Sequence, residues 1–194
     1  MARKSSILSF VIIMLLFIAC CKKSFDDLHF EANKIEVKNT YNFRDIGESV
    51  TISQQGFRIK CHLSEETIEL ISELNELRAS LDFCEDNFIG LNKDIENFYI
   101  SCDKDIWNTL AGTPLDNNKI RIYENKFPED SQNKRLTIQE WLNFINNEDQ
   151  LITFEWFIEF NEPIISTEYL KFKLHFEIED GSIYTTETPS VKFE

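Results

Sequence analysis

Residues 170–178 alternate with period two. Leu170, Phe172, Leu174, Phe176 and Ile178 fall on one side, and Lys171, Lys173, His175 and Glu177 on the other. An extended strand with one buried and one wet face sorts residues in this way. Asp180-Gly181 follows, then Ile183 and Tyr184. Asp-Gly between two strand-like runs predicts a hairpin, because both central residues of a type I′ turn take positive φ. A two-residue turn there sets Ile178 opposite Ile183. The alternation recurs over 152–160, with Ile152, Phe154, Trp156, Ile158 and Phe160 against Thr153, Glu155, Phe157 and Glu159. Val191 and Phe193 predict a closing strand after Pro189, whose missing amide hydrogen suits a strand start or edge.

Shorter alternations stand earlier, at Ile35/Val37, Val50/Ile52, Phe57/Ile59/Cys61/Leu63, Phe98/Ile100/Cys102 and Ile120/Ile122, with Gly56 as a turn between the second and third. Many strands with polar turns and no regular alternation with helices predict a mainly β fold, an antiparallel β-sandwich. One helix is marked by the capping box Thr137-Ile138-Gln139-Glu140, with Leu136 and Trp141 at staple spacing. Ile138, Trp141, Leu142 and Ile145 form its apolar stripe, and Asn146-Asn147 ends it. A second helical reading covers 65–77, capped by Ser64, with Ile68, Ile71, Leu74 and Leu77 every three residues. An irregular excursion between strands is its alternative. Residues 126–135 read as a polar loop.

The N-terminus reads as an address. Arg3 and Lys4 precede an apolar run over residues 7–19. That run is shorter than the roughly 20 residues of a permanent span and has the shape of a signal peptide. It ends in Phe17-Ile18-Ala19-Cys20, which resembles the lipobox of bacterial lipoproteins, with Phe17 in place of the usual leucine. The resemblance implies cleavage before Cys20 and lipid on that cysteine. It predicts an outer-membrane, lipid-anchored protein of the cell envelope, with several acyl chains for stable anchoring. Cys21-Lys22-Lys23-Ser24-Phe25-Asp26-Asp27 resembles the charged tract of surface-displayed Bacteroidetes lipoproteins. The expected division is a signal peptide over 1–19, a lipidated flexible tether over 20–33 and one β-sandwich domain over 34–194. Arg3 and Lys4 are the only charges before the cut, so the formal −14 becomes −16 on 175 residues. Such a surface disfavours nucleic acid as a partner.

A second likeness covers roughly residues 80–194. A strand ending in Cys102-Asp103, then Ala111-Gly112-Thr113-Pro114-Leu115, then the capped helix, then Phe176-Glu177-Ile178-Glu179-Asp180-Gly181 with Thr185, Thr186 and Thr188 resembles a family of Bacteroidetes lipoproteins. Their C-terminal half is an immunoglobulin-like sandwich. The resemblance implies a fold and a location and brings no activity or site residues.

Chemistry is sparse. His29 falls in the tether, His62 points opposite to Cys61, and His175 lies on a polar strand face; surface histidine is the reading for all three. No HExxH, CxxC, GxSxG, phosphate-binding loop or dinucleotide fingerprint occurs, and the five glycines are isolated. In an exported chain Cys84 and Cys102 are the candidate disulfide, with buried free thiols an equal alternative for Cys61 and Cys102. Acidic pairs at Glu65-Glu66, Asp103/Asp105, Glu129-Asp130 and Glu155/Glu159 are expected by chance among 34 acids. Asp103 and Asp105 are weak candidates for a cation, and no metal or other cofactor is expected. Trp107 beside them is a weak candidate for stacking on a sugar, against core packing; Trp141 and Trp156 read as structural.

These features favour a non-catalytic binding or interaction module of the cell envelope, with a protein or glycan as partner. A glycan- or envelope-polymer hydrolase and a structural accessory of an outer-membrane complex are the alternatives. Lipidation at Cys20 has a direct test. Labelled palmitate should enter the native chain and be lost from Cys20→Ala, and label persisting in that variant would shift the site to Cys21.

Overall fold

A computed structural model describes residues 28–64, 89–124, 135–146 and 155–194. Its strands are β1 (Leu28–Phe30), β2 (Ile35–Tyr41), β3 (Arg44–Ile46), β4 (Val50–Ile52), β5 (Phe57–Leu63), β6 (Ile89–Leu91), β7 (Ile95–Cys102), β8 (Ile120–Glu124), β9 (Glu155–Phe160), β10 (Phe172–Ile178), β11 (Ile183–Glu187) and β12 (Val191–Phe193). The helix α1 is Ile138–Ile145. An antiparallel sheet in the order β3-β2-β5-β9-β8 packs against a second one, β11-β10-β7. Two short parallel pairs, β1 with β6 and β4 with β12, complete the pairing of named strands among the described residues.

The alternations explain the core. Ile59, Cys61 and Leu63 of β5 and Trp156 and Ile158 of β9 are buried from one sheet; Phe98, Ile100, Phe172, Leu174 and Phe176 are buried from the other. Aromatic rings join them. Phe57 lies 6.2 Å from Phe172 and 5.0 Å from Phe193, and Phe160 lies 4.9 Å from Phe172. Deeper in, Phe98 meets Phe176 at 5.0 Å and Trp141 at 5.2 Å, and Trp141 meets Trp156 at 5.5 Å. Helix α1 therefore sets its apolar stripe into the sandwich through Trp141. Its N-terminus is closed by the expected box, in which the Glu140 amide donates to Thr137 Oγ1 and the Thr137 amide to the Glu140 carboxylate.

Four expectations change. The β10–β11 connection is a three-residue loop, since Glu177 pairs with Ile183 and the Ile178 amide bonds to Ser182 O. Gly181 takes φ +81° as the left-handed residue of that loop. One extra residue turns Ile183 outward, where it is 56% exposed, and sends Tyr184 to the core side. Phe157, assigned to the wet face of β9, is buried because Phe43 and Tyr123 cover it from β3's turn and from β8. His62, read as a surface residue, is buried, and its Nδ1 lies 2.8 Å from Leu63 O; β5 is an inner strand. The tether expected to reach residue 33 gives way earlier, to β1 and a 3-10 turn at Ala32–Lys34 that buries Ala32. Cys20, Cys84, the 65–77 helix and nearly all of the 126–135 loop lie outside the described residues.

The packing of α1 sets an expected outcome. Trp141→Ala should lower unfolding free energy by about 3–5 kcal/mol, and Thr137→Ala by about 1 kcal/mol, in urea titrations. A loss under about 1 kcal/mol at Trp141 would show that the helix stands apart from the cooperative core.

Candidate functional site: the loop end of the sandwich

Register places four connections at one end. Tyr41 ends β2 opposite Phe57, which starts β5. Phe160 ends β9 opposite Ile120, which starts β8. Cys102 ends β7 opposite Phe172, which starts β10. The turns at 42–43 and 53–56 and the loops 103–119 and 161–171 thus gather together. Residues 28–34 enter at the opposite end, because Ile35 pairs with Leu63 and β6 leads into the start of β7.

Hydrogen bonds bind these loops to one another. Gln54 Nε2 donates to Glu162 O at 2.7 Å, and its Oε1 accepts the Ile164 amide. Trp107 Nε1 donates to Pro163 O at 2.8 Å. The Lys171 amide donates to Asp103 at 2.7 Å, and Lys104 pairs with Glu168 at 2.9 Å. Two two-residue turns carry paired left-handed residues, Asn42 and Phe43 (φ 49° and 62°) and Trp107 and Asn108 (φ 53° and 64°). A bulky side chain there costs roughly 1–2 kcal/mol. Ring contacts offset part of it. Phe43 stands edge-on to Phe157 at 5.6 Å under the Arg58 guanidinium at 4.8 Å. Trp107 stands edge-on to Phe160 at 5.6 Å, with Lys119 Nζ 5.2 Å from its ring centre.

The same end shows apolar surface to solvent. Phe43, Leu110, Ile165 and Tyr169 are exposed there, Ile165 at 91%; Ile183 is exposed at the other end. Beside them an open groove of about 470 Å³ runs between the 54–56 turn and residues 159–163, with Arg58, Arg135 and Glu159 in its lining. Arg58 Nη2 lies 3.5 Å and Arg135 Nη2 3.1 Å from the two oxygens of Glu159. Glu162 pairs with Lys119 at 2.8 Å.

The residues singled out in the sequence have structural partners. Asp103 accepts the Lys171 amide and Asp105 the Ala111 amide at 2.7 Å, so both carboxylates pin the 103–111 loop. No group of three metal-ligating side chains occurs among the described residues. Trp107 is half-buried, with its N–H engaged and a cation over its ring. It offers no flat exposed platform. Cys61 and Cys102 carry free, buried thiols. Burial pushes the Cys61 thiol far up and the Cys102 thiol up to about 12, which suppresses the nucleophilic thiolate.

Sequence reading missed one cluster, because its members come from three strands. On the outer face of the smaller sheet His175 Nε2 lies 2.9 Å from Ser101 Oγ and its Nδ1 3.1 Å from Thr185 Oγ1; the ring stacks on Tyr99 at 4.5 Å. A serine–histidine contact is the start of a nucleophilic site. Ser101, however, is 2% exposed under the bridge it makes with Pro114, so a substrate carbonyl has no approach to its oxygen. The cluster ties β7, β10 and β11 together.

No family model, curated protein or solved structure matches the chain.

Burial first, then the nearby Lys173 charge, lowers the His175 pKa from its ordinary 6.5. The unfolded chain therefore takes up this proton before the folded one does. The contribution is full above about pH 6.5 and is lost as pH falls through the lower folded value. His175→Gln should show a smaller fall in Tm between pH 7 and pH 5 than the native chain. Parallel curves would assign the acid sensitivity elsewhere.

Proposed function

We propose that this chain is a lipid-anchored binding module of the outer membrane, held through Cys20 and presenting the loop end of an immunoglobulin-like sandwich to a partner, without catalysis. The carrying observation is polarity along the sandwich. Among the described residues, four of the five large exposed apolar side chains stand on the loops opposite the end where the chain enters the domain. A patch of that kind, set on loops cross-tied by side-chain hydrogen bonds, suits recognition. The acid groups around it support binding over hydrolysis. A glycosidase needs one carboxyl free to carry a proton and a second across a cleft. Glu159 and Glu162 are instead both ion-paired, and Asp103 and Asp105 hold backbone amides.

Photocrosslinkers placed singly at Ile165 and Ile183 in intact cells test this reading, beside a Cys20→Ala control. Adducts should form from position 165 and not from 183, and should disappear when the control is released from the membrane. Equal or reversed labelling would remove the loop end as the binding surface. Adducts that persist in the released control would remove the need for the anchor.

A further inference from the structure

We infer that the groove beside the loop end binds a carboxylated sugar, through Arg58 and Arg135; this rests on the loop end being the binding surface. Its charge suits an anion. Arg58, Arg135 and Glu159 sum to one positive charge, and the other lining acid, Glu162, is neutralised by Lys119. In a chain of net −14 this is a local site for one negative group.

The arginines also have unfilled donor capacity. An arginine fork makes its best bonds to a carboxylate in a planar, two-point contact. Glu159 supplies none. Its Oε2 lacks a well-aligned donor although Arg135 Nη2 is 3.1 Å away, and its Oε1 lies 3.5 Å from Arg58. Arg58 is held in place between the Phe43 and Tyr123 rings, at 4.8 and 5.9 Å, and by donation from Nη1 to Gly56 O. Its Nε is buried and has no acceptor among the described residues, so contact with an anion in the groove falls to the terminal nitrogens. Arg135 is 62% exposed on its side chain, so an incoming anion can reach its guanidinium.

The groove suits a sugar better than a peptide. The groove crosses the ends of β5 and β9, both inner strands whose backbone groups are paired on each side. An extended peptide added to a sheet needs a free edge, and β5 and β9 offer none among the described residues. Recognition falls to side chains, and the amides of Gln55 and Asn161 join the two arginines in the lining. Amides that donate and accept, beside arginines, match a ring of hydroxyls bearing one carboxylate. The volume of about 470 Å³ accommodates one or two sugar units.

The test is isothermal titration of the full mature chain with glucuronate, with glucose as its neutral counterpart and with an Asp/Glu hexapeptide. Glucuronate should bind at least about 10-fold more tightly than glucose, and its affinity should fall with added salt. Arg135→Gln, at an exposed position that leaves the fold intact, should weaken glucuronate about 10-fold and leave glucose unchanged. Equal binding of the two sugars, no heat with glucuronate at about 10 mM, or an Arg135→Gln variant that binds normally would each overturn the inference. Tighter binding of the acidic peptide would also overturn it. Crosslinking from position 165 could survive all four results, so the groove can fail while the loop-end reading stands.

Discussion

Phe57 is where the two sheets become one body. It begins the central strand of the larger sheet, and its ring touches Phe160 in the same sheet, Phe172 at the start of β10, and Phe193 near the chain's end. Those partners come from three strands, and with Phe57 they span 137 residues of sequence, Phe57 to Phe193. Large flat rings suit such a seam because each buries about 150–250 Å² and adds an oriented contact beyond that area. The loop end depends on it directly. Gly56 precedes this ring with φ +105°, and a Cβ there would stand 2.5 Å from Asn42 Oδ1. The 53–56 turn, the Asn42-Phe43 turn and the mouth of the groove are therefore locked to the same core contact.

Where one face of a strand is apolar and the other charged, the sequence was readable. β5, β9 and β10 have the expected inward faces, and the capping box and stripe of α1 stand where the pattern places them. The failures share a cause. Periodicity reports which residues share a face, and not what covers that face. Phe157 and His62 lie on the side of the larger sheet assigned to water, yet both are buried. The hairpin register failed differently. Asp-Gly serves a two-residue turn and also a three-residue loop with glycine in the left-handed position, and dipeptide chemistry alone does not choose between them.

The polar seam was illegible for a related reason. Asn39 and Thr40 are fully buried within β2, although polar side chains of these types are mostly exposed. Asn39 Nδ2 donates to Pro189 O at 2.6 Å, and Ser190 donates from both its amide and its hydroxyl to Glu48 at 2.7 Å. Those Ser190 bonds, the backbone one foremost, hold the Glu48 carboxyl below its ordinary range. The result fastens β12 to the β2–β4 edge through directional bonds, beside its parallel pairing with β4. Contacts between residues some 140–150 positions apart leave no local trace in a sequence.

The loop end combines ring contacts with backbone strain. Several of its residues break local rules, with aromatics in left-handed turns and large apolar side chains in water. Strain at a few positions persists when the surroundings over-determine it, and here they do. Phe43 is held by Phe157 and Arg58, and Trp107 by Pro163, Phe160 and Lys119. Glycine or asparagine at either site would fold with less strain. An asparagine follows Trp107 and precedes Phe43, so the turns already hold the residue type they prefer, once each. Keeping an aromatic at the other position places a ring over a cation, Arg58 in one turn and Lys119 in the other. Both cations border the same stretch of surface, since Arg58 lines the groove and Lys119 pairs with Glu162 at its rim. Holding two cations rigidly at one end of an acidic chain is a physical reason for these turns that stability alone does not supply.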